Sequence, residues 1–480
     1  MRRKTTRSHR SPEAPAAVTP PDDSRTPRSL RFLAGVLGLL AVLFTAWPAY
    51  RAAVRVEIDV NEGWNAYFAD AALGNRPLYP AADELITNNY PPLSFYAVGA
   101  CGRVVGDAAF AGRLLSLAAV LATGMLVGLA VRQFGGSAGG AWVGGVWYAA
   151  TMGRFFTDYV GMNDPHLLAQ AAMLVGFLGF ARAVRRDRGY GVAVLAMVAA
   201  GFVKHNVVAM PLAAYLWLAV ERPRRLPFCV ALGVGAAAAG LALCHAVYGP
   251  DFATNMLAPR VLDWRASVGA VGHLQWVAVG LVGCVAVVAA RPRDPGVRLV
   301  AIFLVVALVS FFVQKTGAGV AHSAQFELVV AVAVGVGLAF AHAPSMPLAR
   351  RSTPDGLRVA LLVALVVRLL ASARTEPARL WLDRSFPAEI AAREAAMADA
   401  VARIRATPGD VSAPTLACYW AGKPFAHDPF NARQRVLAGR LPSDAVGRRV
   451  ESGRLTMVGT DPLLSWTAKY PPGPPSGPGR

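Results

Sequence analysis

The stretch Pro91–Val105 reads Pro-Pro-Leu-Ser-Phe-Tyr-Ala-Val-Gly-Ala-Cys-Gly-Arg-Val-Val, and the threading of the whole chain turns on it. It is apolar but short, because a helix needs roughly 20 residues to cross about 30 Å of hydrocarbon. Four strongly basic loops follow, at 182–188, 222–225, 291–298 and 350–358. If Pro91–Val105 crossed a membrane, all four would fall on the outer side. If it lies along the interface, as a re-entrant or interfacial helix, all four fall inside. They then share a side with the basic tail that carries Arg2, Arg3, Lys4, Arg7, Arg10, Arg25 and Arg28. The second threading obeys the positive-inside rule, so residues 51–110 are read as one long external loop.

Outward from that loop the pattern is apolar. The chain has 480 residues, 55% hydrophobic and 16% charged, against about 25% charged for soluble domains. The net charge of +19 does not mark a nucleic-acid binder, since the basic residues fall between apolar segments. Eleven spans are expected, near 31–50, 111–131, 138–153, 165–183, 190–204, 206–220, 226–247, 271–290, 299–313, 324–342 and 359–373. The fold class is thus an all-α polytopic membrane protein with a small external C-terminal α/β domain. Residues 1–30 and 471–480 read as disordered tails and 374–470 as the external domain. Within that domain Ser385 begins an amphipathic helix with Ile390, Met397, Val401 and Ile404 on one face. Thr415–Trp420 and Leu455–Val458 read as short strands. Cys229, Cys244 and Cys284 read as core residues, and no cysteine has metal-ligand spacing; Cys101 and Cys418 are the one pair open to a disulfide.

Three polar clusters reach the external side in this threading. The first loop holds Asp59, Asn61, Glu62, Tyr67, Asn89 and Tyr90; Asp59 and Glu62, three apart, share a face if the segment is one helical turn. They are read as a general base or metal ligands against the plainer reading of a solvated acidic loop. The second cluster is Asn163-Asp164-Pro165-His166, a site or simply a helix cap. The third is Lys204-His205, where a lysine at membrane depth costs about 2.5–3.5 kcal/mol unless it reaches water or an anion. Lys315 and His322 lie in a later external loop and are candidate substrate contacts. Asp59, Glu62 and Asp164 are also oxygen ligands of the kind a divalent ion takes, though no spacing demands one. Carboxylates and a fixed cation on one face suit a reaction that removes an acceptor proton and holds a departing phosphate.

These residues in this order resemble a family: the long acidic first loop, Tyr90-Pro91-Pro92, Gly112-Arg113-Leu114-Leu115-Ser116, Asn163-Asp164-Pro165 and Val203-Lys204-His205. The pattern is similar to the C-type membrane glycosyltransferases, most of all the protein O-mannosyltransferases and lipid A aminoarabinose transferases. The resemblance covers residues 30–220 by motif and reaches about 373 by architecture. It implies a polyprenyl-phosphate-linked sugar donor, an inverting transfer to an extracytoplasmic acceptor (lipid, glycan or protein), and a multi-pass protein of the plasma membrane. The family's loop Asp falls here on Asn61, an amide, so the base role passes to Asp59 or Glu62. Its Lys before Pro-Pro is Tyr90 in this chain. Asp164 matches the second-loop acid and Lys204 the cation. The rival classes are a polytopic transporter, for which no inverted repeat is visible, and a degenerate scaffold that lost its base.

Overall fold

The computed structural model describes residues 27–74, 76–347, 355–372, 376–459 and 461–467. Most of both expected tails and most of the basic loop at 350–358 lie outside these residues.

The chain is a helical bundle. Its helices are α1 (Arg28–Ala53), α2 (Asn61–Leu73), α3 (Leu93–Val105), α4 (Ala108–Gln133), α5 (Ala138–Phe155), α6 (His166–Arg186), α7 (Tyr190–Val203), α8 (Ala209–Glu221), α9 (Leu226–Tyr248), α10 (Pro250–Met256), α11 (Trp264–Gly269), α12 (Ala278–Ala290), α13 (Pro295–Lys315), α14 (Phe326–His342) and α15 (Gly356–Leu370). Ten of the expected spans fall mainly on one helix each, and the eleventh, 271–290, is broken before α12. Among the described residues six segments are long and apolar enough to cross a membrane: Arg28–Ala53, Ala108–Gln133, His166–Arg186, Pro223–Tyr248, Pro295–Lys315 and His322–Ser345. A seventh counts if Trp264–Trp276 and Ala278–Ala290, bent by 83°, form one broken span. The segment that decided the threading, α3, is a short apolar helix packed between α2 and α4.

The middle of the bundle is α14, in which every residue is buried. Lipid tails are as apolar as leucine, so helices in a bilayer associate through close packing and polar contacts more than through water exclusion. Here α5 and α14 meet at glycine: a methyl group on Gly140 would stand 2.4 Å from the carbonyl oxygen of Gly337. The helix starts are written locally. Asp107 caps α4 by accepting from the amides of Ala109 and Phe110 at 2.8 and 3.0 Å, and Asp294 caps α13, which opens on Pro295, a residue that fits the first helical turn.

After residue 376 come α16 (Glu376–Leu382), α17 (Phe386–Ala406), α18 (Thr415–Trp420), α19 (Pro429–Leu437) and α20 (Ala445–Glu451), with β1 (Asp410–Ser412) paired in parallel to β2 (Leu455–Met457). Ile390, Met397 and Ile404 of α17 are buried together, as the periodicity requires. The expected strand at Leu455 forms, but the one at Thr415–Trp420 is a helix. Its six residues are too few for periodicity to separate the two states, and α18 is held by packing against α2. All five cysteines are free, so the Cys101–Cys418 pairing is not made.

This last part of the chain closes onto the first loop. Glu57 accepts from the Leu416 amide at 2.9 Å and from the Thr415 hydroxyl at 3.2 Å. Trp466 donates its amide to the Glu57 carbonyl at 2.9 Å, and its ring stands edge-on to Trp47 of α1 at 5.2 Å. Gly63 of α2 leaves no space for a side chain, because a methyl group there would lie 2.1 Å from the Thr415 backbone.

Candidate functional site

Asp59 and Glu62 do not share a face. Residues 59–61 form the turn into α2, with the Glu62 amide donating to the Asp59 carbonyl at 3.0 Å. Asp59 is half-buried in this turn, where its Oδ1 accepts from the Asn61 amide and side chain at 3.1 and 2.8 Å. Its Oδ2 faces the Thr467 hydroxyl at 3.4 Å. Glu62 turns inward and is fully buried. Its Oε2 accepts from Arg113 Nη2 at 2.6 Å and from the Ile58 amide at 2.7 Å. Its Oε1 accepts from Arg113 Nε at 2.8 Å and from the Asn163 amide at 3.1 Å. Arg113 also donates to the carbonyls of Val54 and Val56, each at 2.7 Å. A carboxylate accepting a guanidinium fork and two amides is a bracket that fixes the loop. Asp59 is the carboxylate of the pair that lies outside this bracket, half-buried at the turn into α2.

Asn163 belongs to the same bracket. Its side-chain amide donates to the Glu62 carbonyl at 3.2 Å, and its own carbonyl accepts from Asn65 at 2.8 Å. Asp164 does two things at once. Oδ1 accepts from the His166 amide at 2.8 Å, starting α6, and both oxygens receive the Lys204 ammonium at 3.1 and 3.2 Å. Asp164 therefore joins the start of α6 to the end of α7. Lys204, buried where α7 ends, lies 4.0 Å from the Tyr90 ring centroid. A desolvated cation on an aromatic face gains about 2 kcal/mol. Tyr90 is steadied edge-on against Trp64 at 4.6 Å.

Two residues with no distinctive local pattern complete the cluster. Tyr159 lies in the loop before α6; burial, then Asp164 and Asp59, hold its phenol well above its ordinary pKa, so it is a neutral donor among carboxylates. Arg260, between α10 and α11, is close enough to Tyr90 for each to shift the other's titration. Its guanidinium stacks over Phe430 of α19 at 4.8 Å. Burial lowers its pKa, and Tyr90 and Asp428 oppose that, so the charge persists. The loop carrying it is tied down by the Val261 amide donating to Gln434 at 2.8 Å.

The remaining candidates lie apart or at the margin. His205 is exposed beside Lys204, and His166 is buried edge-on to Phe326 at 5.2 Å. Asn89 is half-buried; its neighbour Asn88 does the structural work, donating to Leu78 at 2.9 Å. Tyr67 packs toward Phe425 and under Arg76, whose guanidinium is 5.3 Å from its ring. Lys315 donates to the Val320 carbonyl at 2.6 Å and so closes its own loop. His322 stands edge-on to His273 and Trp276, both at 4.9 Å. Of the three carboxylates open to a divalent ion, Asp59, Glu62 and Asp164, Glu62 is bonded to Arg113 and Asp164 to Lys204. Among the described residues no three His, Cys, Asp or Glu side chains gather as a metal would require.

No family model matches the sequence, and no curated protein matches it. Solved structures do. The chain is similar to ArnT from Cupriavidus metallidurans bound to undecaprenyl phosphate, at 13% identity and TM-score 0.54, over 89% of this chain and 92% of that one. The apo state of the same protein gives 13% identity and TM-score 0.57, over 90% and 93%. The oligosaccharyltransferase AglB from Archaeoglobus fulgidus, in complex with an inhibitory peptide and a dolichol-phosphate, gives 12% identity and TM-score 0.50, over 84% of this chain and 65% of that one. At these identities the likeness is one of fold. The chain has the fold of the C-type membrane glycosyltransferases, as its motif order led us to expect.

Proposed function

We propose that this chain is an inverting glycosyltransferase that moves a hexose or pentose from a polyprenyl-phosphate donor to an acceptor outside the cytoplasm. The observation that carries the reading is the pairing of a cation cluster, buried Lys204 and half-buried Arg260, with a separate half-buried carboxylate, Asp59. Lys204 and Arg260 flank Tyr90, and Asp59 lies near enough to act on the same Tyr159 as Asp164 does. The structures that share the fold include one bound to undecaprenyl phosphate and one in complex with a dolichol-phosphate, which supports a lipid-phosphate donor here.

In the proposed reaction an acceptor hydroxyl or amide attacks the anomeric carbon from the face opposite the phosphate. A bond from the acceptor to that carbon forms as the carbon–oxygen bond to phosphate breaks, which inverts the centre. Asp59 takes the acceptor proton. The electron pair leaves with the phosphate, and Lys204 and Arg260 stabilise the added negative charge. Asp164 holds the ammonium in place before the donor arrives, so little reorganisation is left for the transition state. The site faces outward across the plasma membrane, with eleven spans and the basic loops inside. The bilayer supplies the donor's lipid tail, and no nucleic acid takes part.

The test is turnover of a labelled polyprenyl-phosphate sugar by the purified protein in detergent. Removing one fixed donor to developing charge lowers kcat by about 10²–10³-fold. Lys204→Met is expected to fall in that range, and Lys204→Arg to keep part of the activity because the charge survives. Near-normal transfer and donor affinity in Lys204→Met would place the phosphate elsewhere and overturn this assignment.

A further inference from the structure

The end of α6 remote from Asp164 carries a second cationic site that the transfer reaction does not use. The helix has 21 residues, so roughly 30 Å separate its two ends, about the thickness of a bilayer core. At the far end is a cavity of about 330 Å³ lined by Gly179, Arg182, Ala183, Arg186, Arg188 and Gly189. Three of its lining residues are arginines, and the other three are glycine or alanine.

The local carboxylate does not neutralise them. Asp187 has a left-handed backbone, with φ of 49°, and is bonded instead to the turn that precedes α9. Its two oxygens take Arg225 Nε and Nη2, each at 3.0 Å, and Oδ1 also takes the Tyr190 hydroxyl at 3.1 Å. Among the described residues, no carboxylate or carbonyl accepts from the side chains of Arg182, Arg186 or Arg188. Arginines without a protein acceptor, lining one space, suit the oxygens of a phosphate.

The surface beside the cavity is built for a lipid. Val175, Gly179, Arg182 and Arg186 are spaced by four, three and four along one stripe of α6. The stripe runs from exposed valine, through glycine, to arginine. Val192 and Leu195 of α7 extend the exposed apolar surface alongside it. A molecule with an anionic head and hydrocarbon tails fits both parts of the stripe.

We infer that this cavity binds a phosphate-bearing anion, with the headgroup of an anionic phospholipid in the leaflet opposite the candidate active site as the occupant its apolar flank favours. The site is separate from the donor site and stands whether or not the proposed reaction does.

Titration of the full chain in detergent, followed by native mass spectrometry, tests it with phosphatidylglycerol, phosphatidylcholine and soluble glycerol phosphate. Phosphatidylglycerol is expected to bind selectively. The triple variant Arg182→Gln, Arg186→Gln, Arg188→Gln is expected to weaken it roughly 100-fold, each surface guanidinium supplying a factor of about five. These side chains are exposed, so the variant keeps its fold. A charge-matched control, Arg403→Gln, Arg440→Gln, Arg454→Gln, is expected to bind normally. Tight binding of glycerol phosphate, lost in the triple variant, would support the site with a soluble phosphate as its ligand. Equal binding of the two lipids, or unchanged affinity in the triple variant, would overturn the inference.

Discussion

Replacing Glu62 by Gln separates a bracket from a base. In the structure Glu62 accepts four hydrogen bonds, two from Arg113 and two from the amides of Ile58 and Asn163. The ion pair is 2.6 Å long, and its two side chains are 3% and 0% exposed. Breaking a buried pair by removing one partner costs about 3–5 kcal/mol, because the surviving charge stays buried without compensation. Gln can still accept at one oxygen, so the lower half of that range is expected. The assay is a double-mutant cycle in detergent, unfolding Glu62→Gln, Arg113→Met and the double variant. The expected pattern is two large single losses and a double variant less destabilised than their sum, since the second substitution removes the stranded charge. Turnover per folded molecule is expected to stay within a few-fold of the parent, apart from any displacement of the loop. A Glu62→Gln protein as stable as the parent, with turnover down a hundredfold or more, would make Glu62 the proton acceptor and refute the bracket.

Other perturbations bear on the same machinery. Asp59→Asn is expected to lower turnover by about 10²–10⁴-fold with stability and donor affinity retained; a few-fold loss would leave Asp59 as a mere turn former. Glu327 of α14 accepts from the amides of Val208, Ala209 and Met210 at 3.0, 3.0 and 2.8 Å, and so pins the start of α8 just beyond Lys204. Glu327→Ala strands donors worth about 1–3 kcal/mol each; its unfolding curve is expected to shift and donor KM to rise, and unchanged values in both would show that the pin is dispensable. For topology, cysteines placed at the exposed Ala82 and Ser443, with Cys101 replaced, are expected to react with an impermeant reagent on intact cells. Protection of either position would reverse the threading.

The bundle was legible because its signals are local. Runs such as Leu226–Val247, without a single charge, announce themselves, and basic loops give their sidedness. The site was legible in its residue types and only partly in their roles. Asp164 and Lys204 were both singled out, but not their ion pair, which joins positions 40 apart. Glu62 looked like half of a catalytic pair because spacing carries no information about Arg113, 51 residues on. Arg260 and Tyr159 carry no local pattern at all; each acquires meaning only when tertiary packing brings Tyr90 or Asp164 beside it. Thr415–Trp420 failed for a related reason: its helix is decided by α2, not by its own six residues.

The closure of the last part of the chain onto the first loop has a consequence in time. Glu57 is bonded to Thr415 and Leu416 across 358 and 359 positions, and the Asp59 turn packs beside Thr467. At a synthesis rate of about 5–20 residues per second, the loop waits roughly 20–70 s for its partners. Through that interval the Glu57 carboxylate, buried in the finished protein, lacks its bonds to Thr415 and Leu416, and the surface of α2 around Gly63 lies bare. A chain released early would carry every helix of the bundle and still lack a finished acidic turn. The candidate site is thus among the last parts of the molecule to be completed, although its first residue is among the earliest made.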